Sequence, residues 1–127
     1  MYCHVWFVTK YRRPILEREI EKKVKSYLEE VATCKKYNIL ELETDRDHMH
    51  ILVEAKDRKE LSTILRTLKC VSSKKILKIL RLGVGKVGRV RRSFWGRRYG
   101  CREIGFAELE NIRKYIRNQK NLHALRS

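Results

Sequence analysis

Two histidines separated by one apolar residue, His48-Met49-His50, are the first candidates for chemistry in this chain. Side chains alternate across an extended strand, so His48 and His50 would share one face about 7 Å apart and could converge on one metal ion. Imidazole donors by themselves suit zinc or another transition metal better than magnesium. The plainer alternative is a pair of half-exposed histidines on an open sheet face. A second candidate is Tyr115, with Gln119 one helical turn further on. Tyr115 lies about a quarter-turn from the centre of an apolar stripe through Ile112 and Ile116, a place where most tyrosines only pack. Gln119 is a poor core residue on the same side of the helix. Tyr2, Tyr11, Tyr27, Tyr37 and Tyr99 have no such polar partner at helical spacing.

Other motifs carry less. Gly83-Val84-Gly85-Lys86-Val87-Gly88 satisfies G-x-G-x-x-G, but a dinucleotide site needs a strand before it and a helix after it. Here a helical pattern precedes and arginines follow, so a basic loop over nucleic acid is the better reading. His4 sits in an alternating strand and could lie near the metal face or simply pack; it is assigned no ligand role, and neither is His123. Cys3, Cys34, Cys70 and Cys101 are scattered, which argues against a thiolate zinc site or a disulfide scaffold and for reduced, partly buried thiols.

The partner is written in the charge. The chain of 127 residues has a formal net charge of +16, which predicts a polyanion. From Leu61 to Arg102 there are thirteen Lys/Arg and no Asp or Glu, whereas the rest of the chain has eighteen basic against fifteen acidic residues. A solvated helix face mixes signs, so an acid-free stretch of this length reads as a binding surface. Nucleic acid leads; an anionic membrane is the weaker alternative, because no aromatic-rich amphipathic anchor is evident. No apolar run approaches the roughly 18 residues needed to span a bilayer, and no signal-peptide pattern opens the chain. The expectation is a soluble cytoplasmic protein of one domain, residues 1–127.

The elements that must position these residues follow from periodicity. Cys3 to Thr9 reads as a strand, and Pro14 breaks the chain. Leu16 to Tyr37 carries a helical period, with Asn38 as its cap. Ile39 to Thr44 and His48 to Glu54 read as an antiparallel hairpin turning at Asp45-Arg46-Asp47. In the second of these strands Met49, Ile51 and Val53 should face the helices. Asp57 and Glu60 resemble a capping box before a helix through Leu61, Ile64, Leu65, Leu68 and Val71, extending to about Leu80. Tyr99 to Ile104 is a short fourth strand, and a last helix runs to about Gln119. The order β-α-β-β-α-β plus a helix predicts an α+β, ferredoxin-like split βαβ sandwich with an antiparallel sheet.

Asp47-His48-Met49-His50-Ile51-Leu52-Val53 resembles the HUH motif (His, hydrophobic, His) of single-tyrosine HUH transposases, which mobilise bacterial and archaeal insertion sequences of the 200/605 type. His4 to Leu16 resembles the opening strand and turn of that family; Leu68-Lys69, Ser72-Ser73 and Phe94-Trp95-Gly96 resemble its middle, and Tyr115-Ile116-x-x-Gln119 its tyrosine helix. The resemblance implies that Tyr115 is the nucleophile and that His48, His50 and Gln119 hold a divalent metal, Mg2+ or Mn2+. It implies cleavage and rejoining of single-stranded DNA at insertion-sequence ends through a 5′-phosphotyrosine, with recognition of DNA hairpins. It also implies a homodimer whose composite sites join the histidines of one subunit to the tyrosine helix of the other in trans, in a prokaryotic, nucleoid-associated setting. Lys10, Tyr11, Arg12, Arg13, Lys69, Lys74, Lys75, Arg89, Arg91, Arg92, Arg97 and Arg98 are the candidate DNA contacts. Met49 replaces the commoner valine spacer, and Cys101-Arg102-Glu103-Ile104-Gly105 is more charged than the usual strand there. The rivals are a non-catalytic single-stranded nucleic-acid-binding module, a host-adapted relative acting on repetitive chromosomal hairpins, and a metal-dependent hydrolase that forms no adduct.

Overall fold

Alternation of apolar and polar residues builds the sheet, and the helical stripes close it. The computed structural model describes residues 1–83 and 94–119, with backbone alone for 80–83. Its elements in chain order are β1 (Tyr2–Thr9), α1 (Arg18–Lys35), β2 (Asn38–Asp45), β3 (His48–Glu54), α2 (Arg58–Gly83), β4 (Trp95–Ile104) and α3 (Leu109–Arg117). The strands form one antiparallel sheet in the order β2-β3-β1-β4, the ferredoxin-like split βαβ arrangement with a C-terminal helix added.

On one face Val5, Phe7, Met49, Ile51 and Val53 are at most 1% exposed and meet Val24 and Leu28 of α1 and Leu61, Ile64, Leu65, Leu68 and Ile76 of α2. Each such side chain contributes about 1.5–3 kcal/mol by burial. The seam between α2 and β4 is hydrogen-bonded as well as packed. Ser72 Oγ donates to the Leu68 carbonyl (2.7 Å) and accepts from Trp95 Nε1 (2.8 Å), while the Phe94 N–H donates to Ser73 Oγ (2.7 Å). The buried indole N–H and the two buried hydroxyls are thereby satisfied.

The opposite face is only half covered. There α3 seats Ile116 on Leu52 and Ile104, flanked by Tyr2, Leu40, Leu109 and Ile112. Arg113 Nε (3.1 Å) and Arg117 Nη2 (2.6 Å) converge on Glu41 Oε1 of β2. The helix thus covers one end of the face and leaves the His48/Trp6 end open.

Several boundaries differ from the sequence expectation, each for a local reason. The first helix begins at Arg18, because Leu16 forms a bridge to Arg46 beside the β2–β3 turn. It ends at Lys35, capped by Lys36, which takes the left-handed conformation (φ 60°, ψ 36°) and returns its N–H to the Ala32 and Thr33 carbonyls; Asn38 belongs to β2 rather than capping the helix. β4 starts at Trp95, four residues before the expected Tyr99, since Thr9 pairs with Trp95 across an irregularity in the register. α2 runs past Leu80 to Gly83, and α3 stops at Arg117, short of Gln119. At the start of α2, Asp57 Oδ1 accepts the Glu60 N–H (2.8 Å) and Glu60 Oε1 accepts the Lys56 N–H (3.0 Å), a capping box displaced by one residue. Of the four cysteines, all free, only Cys3 is buried; Cys34, Cys70 and Cys101 are exposed rather than partly buried.

Candidate functional site

The period of two that sends Met49 and Ile51 into the core sends His48 and His50 to the open face. Their rings lie 5.0 Å apart at 80° to each other. Each has its Nδ1 engaged from behind. His48 Nδ1 is 2.8 Å from Asp47 Oδ1, and His50 Nδ1 is 2.9 Å from His4 Nε2. A ring whose Nδ1–H is donated to a neighbour presents the lone pair of Nε2, which is how metal-ligating imidazoles are oriented. Asp47 is in turn paired with Arg12 (3.3 Å). The chain can reach there because Tyr11 (φ 61°) and Arg12 (φ 52°) are both left-handed, folding the turn after β1 back onto the β2–β3 turn. Backbone bonds from Thr9 N to Asp47 O (2.8 Å) and Leu16 N to Arg46 O (2.7 Å) clasp the two turns together.

Burial disfavours a charge on two of these imidazoles, His4 and His50. Burial, then the neighbouring His4 and His48, depress the pKa of His50 to about 4. Burial and then Arg102 push His4 below its ordinary value. For Asp47 burial works upward, but the hydrogen bond and charge of His48, with Arg12, outweigh it and hold the carboxylate low. A neutral His50 and an ionised Asp47 are states compatible with a cation site.

Tyr115 reaches this group within the same chain. Its ring centroid is 6.1 Å from His4 and 6.2 Å from His50, near-perpendicular to both. Being one residue before the buried Ile116, it sits at the edge of the helix's packed stripe, 47% exposed. Together His4, Trp6, His50, Arg102, Ile112 and Tyr115 line an open cleft of about 490 Å³. Gln119 is not brought to the histidines in this arrangement: its side-chain amide donates to the Tyr115 carbonyl (3.4 Å). Among the described residues no three His, Cys, Asp or Glu side chains form a metal-binding group. The metal donors that the described residues bring together on this face are two oriented imidazoles, His48 and His50, a partial set that a divalent ion could use only with further ligands. Sequence reading left His4 open between lying near the metal face and simply packing, and the structure sets it against His50. The signal for His4 was parity: it shares a face with Trp6, and Trp6 pairs with His50 in the antiparallel register.

The candidate DNA contacts divide. Lys10, Tyr11, Arg12 and Arg13 ring the turn beside Asp47, with Lys10 5.8 Å from the Tyr11 ring. A separate basic cleft of about 470 Å³ lies between α2 and β4, lined by Arg66, Lys69, Lys74, Arg97 and Tyr99 among others. Within it Lys69 serves as a brace, donating to the Gly96 carbonyl (2.7 Å) between the Phe7 and Tyr99 rings; burial lowers its pKa. Lys75 is turned away to Glu30 (3.4 Å) and the Tyr27 ring. Lys74, Arg97 and Arg98 are exposed. Arg89, Arg91 and Arg92, the glycine-rich segment beyond Gly83 and His123 lie outside the described residues.

Comparison with known proteins speaks to family and fold. The family model described as "Transposase IS200 like" matches residues 1–119. The transposase for insertion sequence element IS200 of Salmonella typhimurium is 32% identical over 116 residues, covering 91% of this chain and 74% of the relative; that of Salmonella typhi gives the same figures. A crystal structure assigned as a transposase from Deinococcus radiodurans superposes with a TM-score of 0.68 at 23% identity, covering 94% of this chain and 91% of that one. A REP-associated tyrosine transposase bound to a REP hairpin gives a TM-score of 0.64 at 14% identity, over 96% and 67% of the two chains. At those identities the two structures speak to the fold alone.

Proposed function

The chain belongs to the IS200-like transposase family, and from that premise we propose that it cleaves and rejoins single-stranded DNA through a covalent bond to Tyr115. The observation that carries this reading is the exposed Tyr115 ring poised about 6 Å from His4 and His50, on the sheet face that also bears His48. The Tyr115 hydroxyl attacks the scissile phosphorus. A bond from its oxygen to phosphorus forms as the bond to the 3′-oxygen breaks, and that oxygen leaves protonated. A free tyrosine has a pKa of about 10, so the attack needs a proton acceptor or a positive field nearby. The phosphotyrosine keeps the energy of the diester, so a second 3′-hydroxyl can reverse the step without ATP.

His48 and His50 would hold a divalent ion, magnesium or manganese by family likeness, with Gln119 as a further ligand; the ion supplies charge neutralisation at the scissile phosphate. Asp47 and His4 keep the two rings oriented for that role. Lys10, Arg12, Arg13, Lys74, Arg97 and Arg98 supply backbone contacts, and hairpin ends are the substrate by analogy with the hairpin-bound neighbour. Family likeness also implies a homodimer with α3 exchanged in trans. The packing of α3 on its own sheet supports a cis arrangement as well, with Gly105 as the point about which the helix would swing.

The test is to incubate the protein with labelled hairpin-ended single strands and manganese and to look for a denaturation-resistant adduct. An adduct persisting in Tyr115→Phe sinks the nucleophile, and cleavage undiminished in His48→Ala/His50→Ala sinks the metal pair. Mixing Tyr115→Phe with His50→Ala subunits restores activity only if the site is composite.

A further inference from the structure

Trp6 is unusual for a residue in the middle of a sheet. β1 is hydrogen-bonded on both sides, yet the Trp6 side chain is 37% exposed on the face that carries His4 and His50. Its cross-strand partner is Gly100, where an added Cβ would lie 2.0 Å from Trp6 Cε2 and 2.2 Å from Nε1. The indole therefore lies across the β4 backbone in space that only glycine leaves open. It packs over Gly100 and beside the His4 ring, with centroids 5.1 Å apart, and stays partly open to solvent. Two residues along β4 is Arg102, exposed and, among the described residues, held by a 3.4 Å ion pair to Glu108 with both partners more than half exposed. Such a pair is exchangeable. Trp6 and Arg102 line the same cleft as Tyr115.

A flat aromatic platform beside an available guanidinium is what an unpaired nucleotide needs: a π-face for the base and a cation for its phosphate. We propose that Trp6, packed over Gly100, and Arg102 form a nucleotide subsite in which the indole stacks on a base flanking the scissile phosphate and Arg102 holds the adjoining backbone phosphate. This rests on the reading of the cleft as a single-strand cleavage site and adds what sets the substrate's register in it. A duplex cannot use the platform, because its bases are already stacked on one another. The subsite thus selects for single strands before any bond is broken.

The test uses Tyr115→Phe protein without divalent ion, so that binding is seen apart from cleavage. The probes are a short oligothymidylate and an abasic strand of equal length. Trp95 is 1% exposed and hydrogen-bonded to Ser72, so quenching of tryptophan emission by a ligand reports Trp6. Oligothymidylate should quench and the abasic strand should not. Adding Trp6→Ala should weaken oligothymidylate binding on the order of tenfold and abasic binding hardly at all, with Trp6→Phe restoring most of the loss. Gly100→Ala, by displacing the indole, should match Trp6→Ala; Arg102→Gln should weaken both probes and flatten the salt dependence. Equal affinity for the two probes, or oligothymidylate binding unchanged by Trp6→Ala, overturns the subsite. The hairpin adduct assay on otherwise wild-type protein keeps the two ideas apart. An adduct with unchanged Trp6→Ala binding rejects the subsite alone, whereas no adduct rejects the cleavage reading whatever the Trp6 result.

Discussion

The two faces of the sheet are made by the same strands and have opposite characters. Towards α1 and α2, β1 and β3 present Val5, Phe7, Met49, Ile51 and Val53, all essentially inaccessible. Towards α3 the same strands present His4, Trp6, His48, His50 and Leu52, of which only Leu52 belongs to an apolar cluster. One face stabilises the fold and the other holds polar groups under partial cover, where desolvation tunes them. Chemistry and stability are separated by a single residue of register, so substitutions one position apart should fail in different ways.

The largest contrast is between Tyr115 and Ile51. Tyr115→Phe is expected to abolish the covalent adduct while shifting unfolding free energy by less than about 0.5 kcal/mol, because its hydroxyl has no packing role. Ile51→Ala should lose about 2–5 kcal/mol in denaturant titration and reduce activity only through the unfolded fraction. If Ile51→Ala left stability intact, or Tyr115→Phe unfolded the protein, the division between the faces would be wrong. Next in size is Asp47→Asn, which leaves His48 without its charged partner. Affinity for manganese, followed by calorimetry, should fall about 10–100-fold with little change in melting temperature.

A third test concerns pH. His50 is held at about 4, below its ordinary 6.5, by burial and its histidine neighbours. Between these values the unfolded chain binds the proton and the folded one does not. The stability contributed by neutral His50 is thus fully present above about 6.5 and lost as pH falls towards 4, by a few kcal/mol at most. Urea midpoints across this window should show the slope, and His50→Gln should flatten it; an unchanged slope would place the titration elsewhere. The smallest effect is expected for Glu41→Gln. Weakening the two arginine contacts of α3, made to a Glu41 side chain that is 13% exposed, should cut adduct yield by a few-fold and leave the midpoint of the main core unmoved.

The face that packs was more legible than the face that carries the histidines. Alternation in His48 to Glu54 placed Met49, Ile51 and Val53 inwards, and the helical stripes supplied their partners, because burial of apolar surface is non-directional and follows periodicity. Strand β4 was found only from Tyr99 on, since Trp95 owes its place to Ser72 and Thr9, partners distant in sequence. Gln119 could be set beside Tyr115 by helical spacing, but spacing says nothing of what its amide turns to, and it turns to its own helix.

By itself, then, the sequence determined the split βαβ order, the strongly basic composition and the shared face of His48 and His50, all consequences of periodicity and composition along one chain. Tertiary structure alone decided that His4 stands behind His50, that Arg12 reaches Asp47 through two left-handed residues, and that Gly100 makes room for Trp6. Those are contacts between strands and turns whose register is set by pairing across the sheet. Hydrogen bonds and ring packing are directional and short-ranged, so they exist only once that register has been fixed.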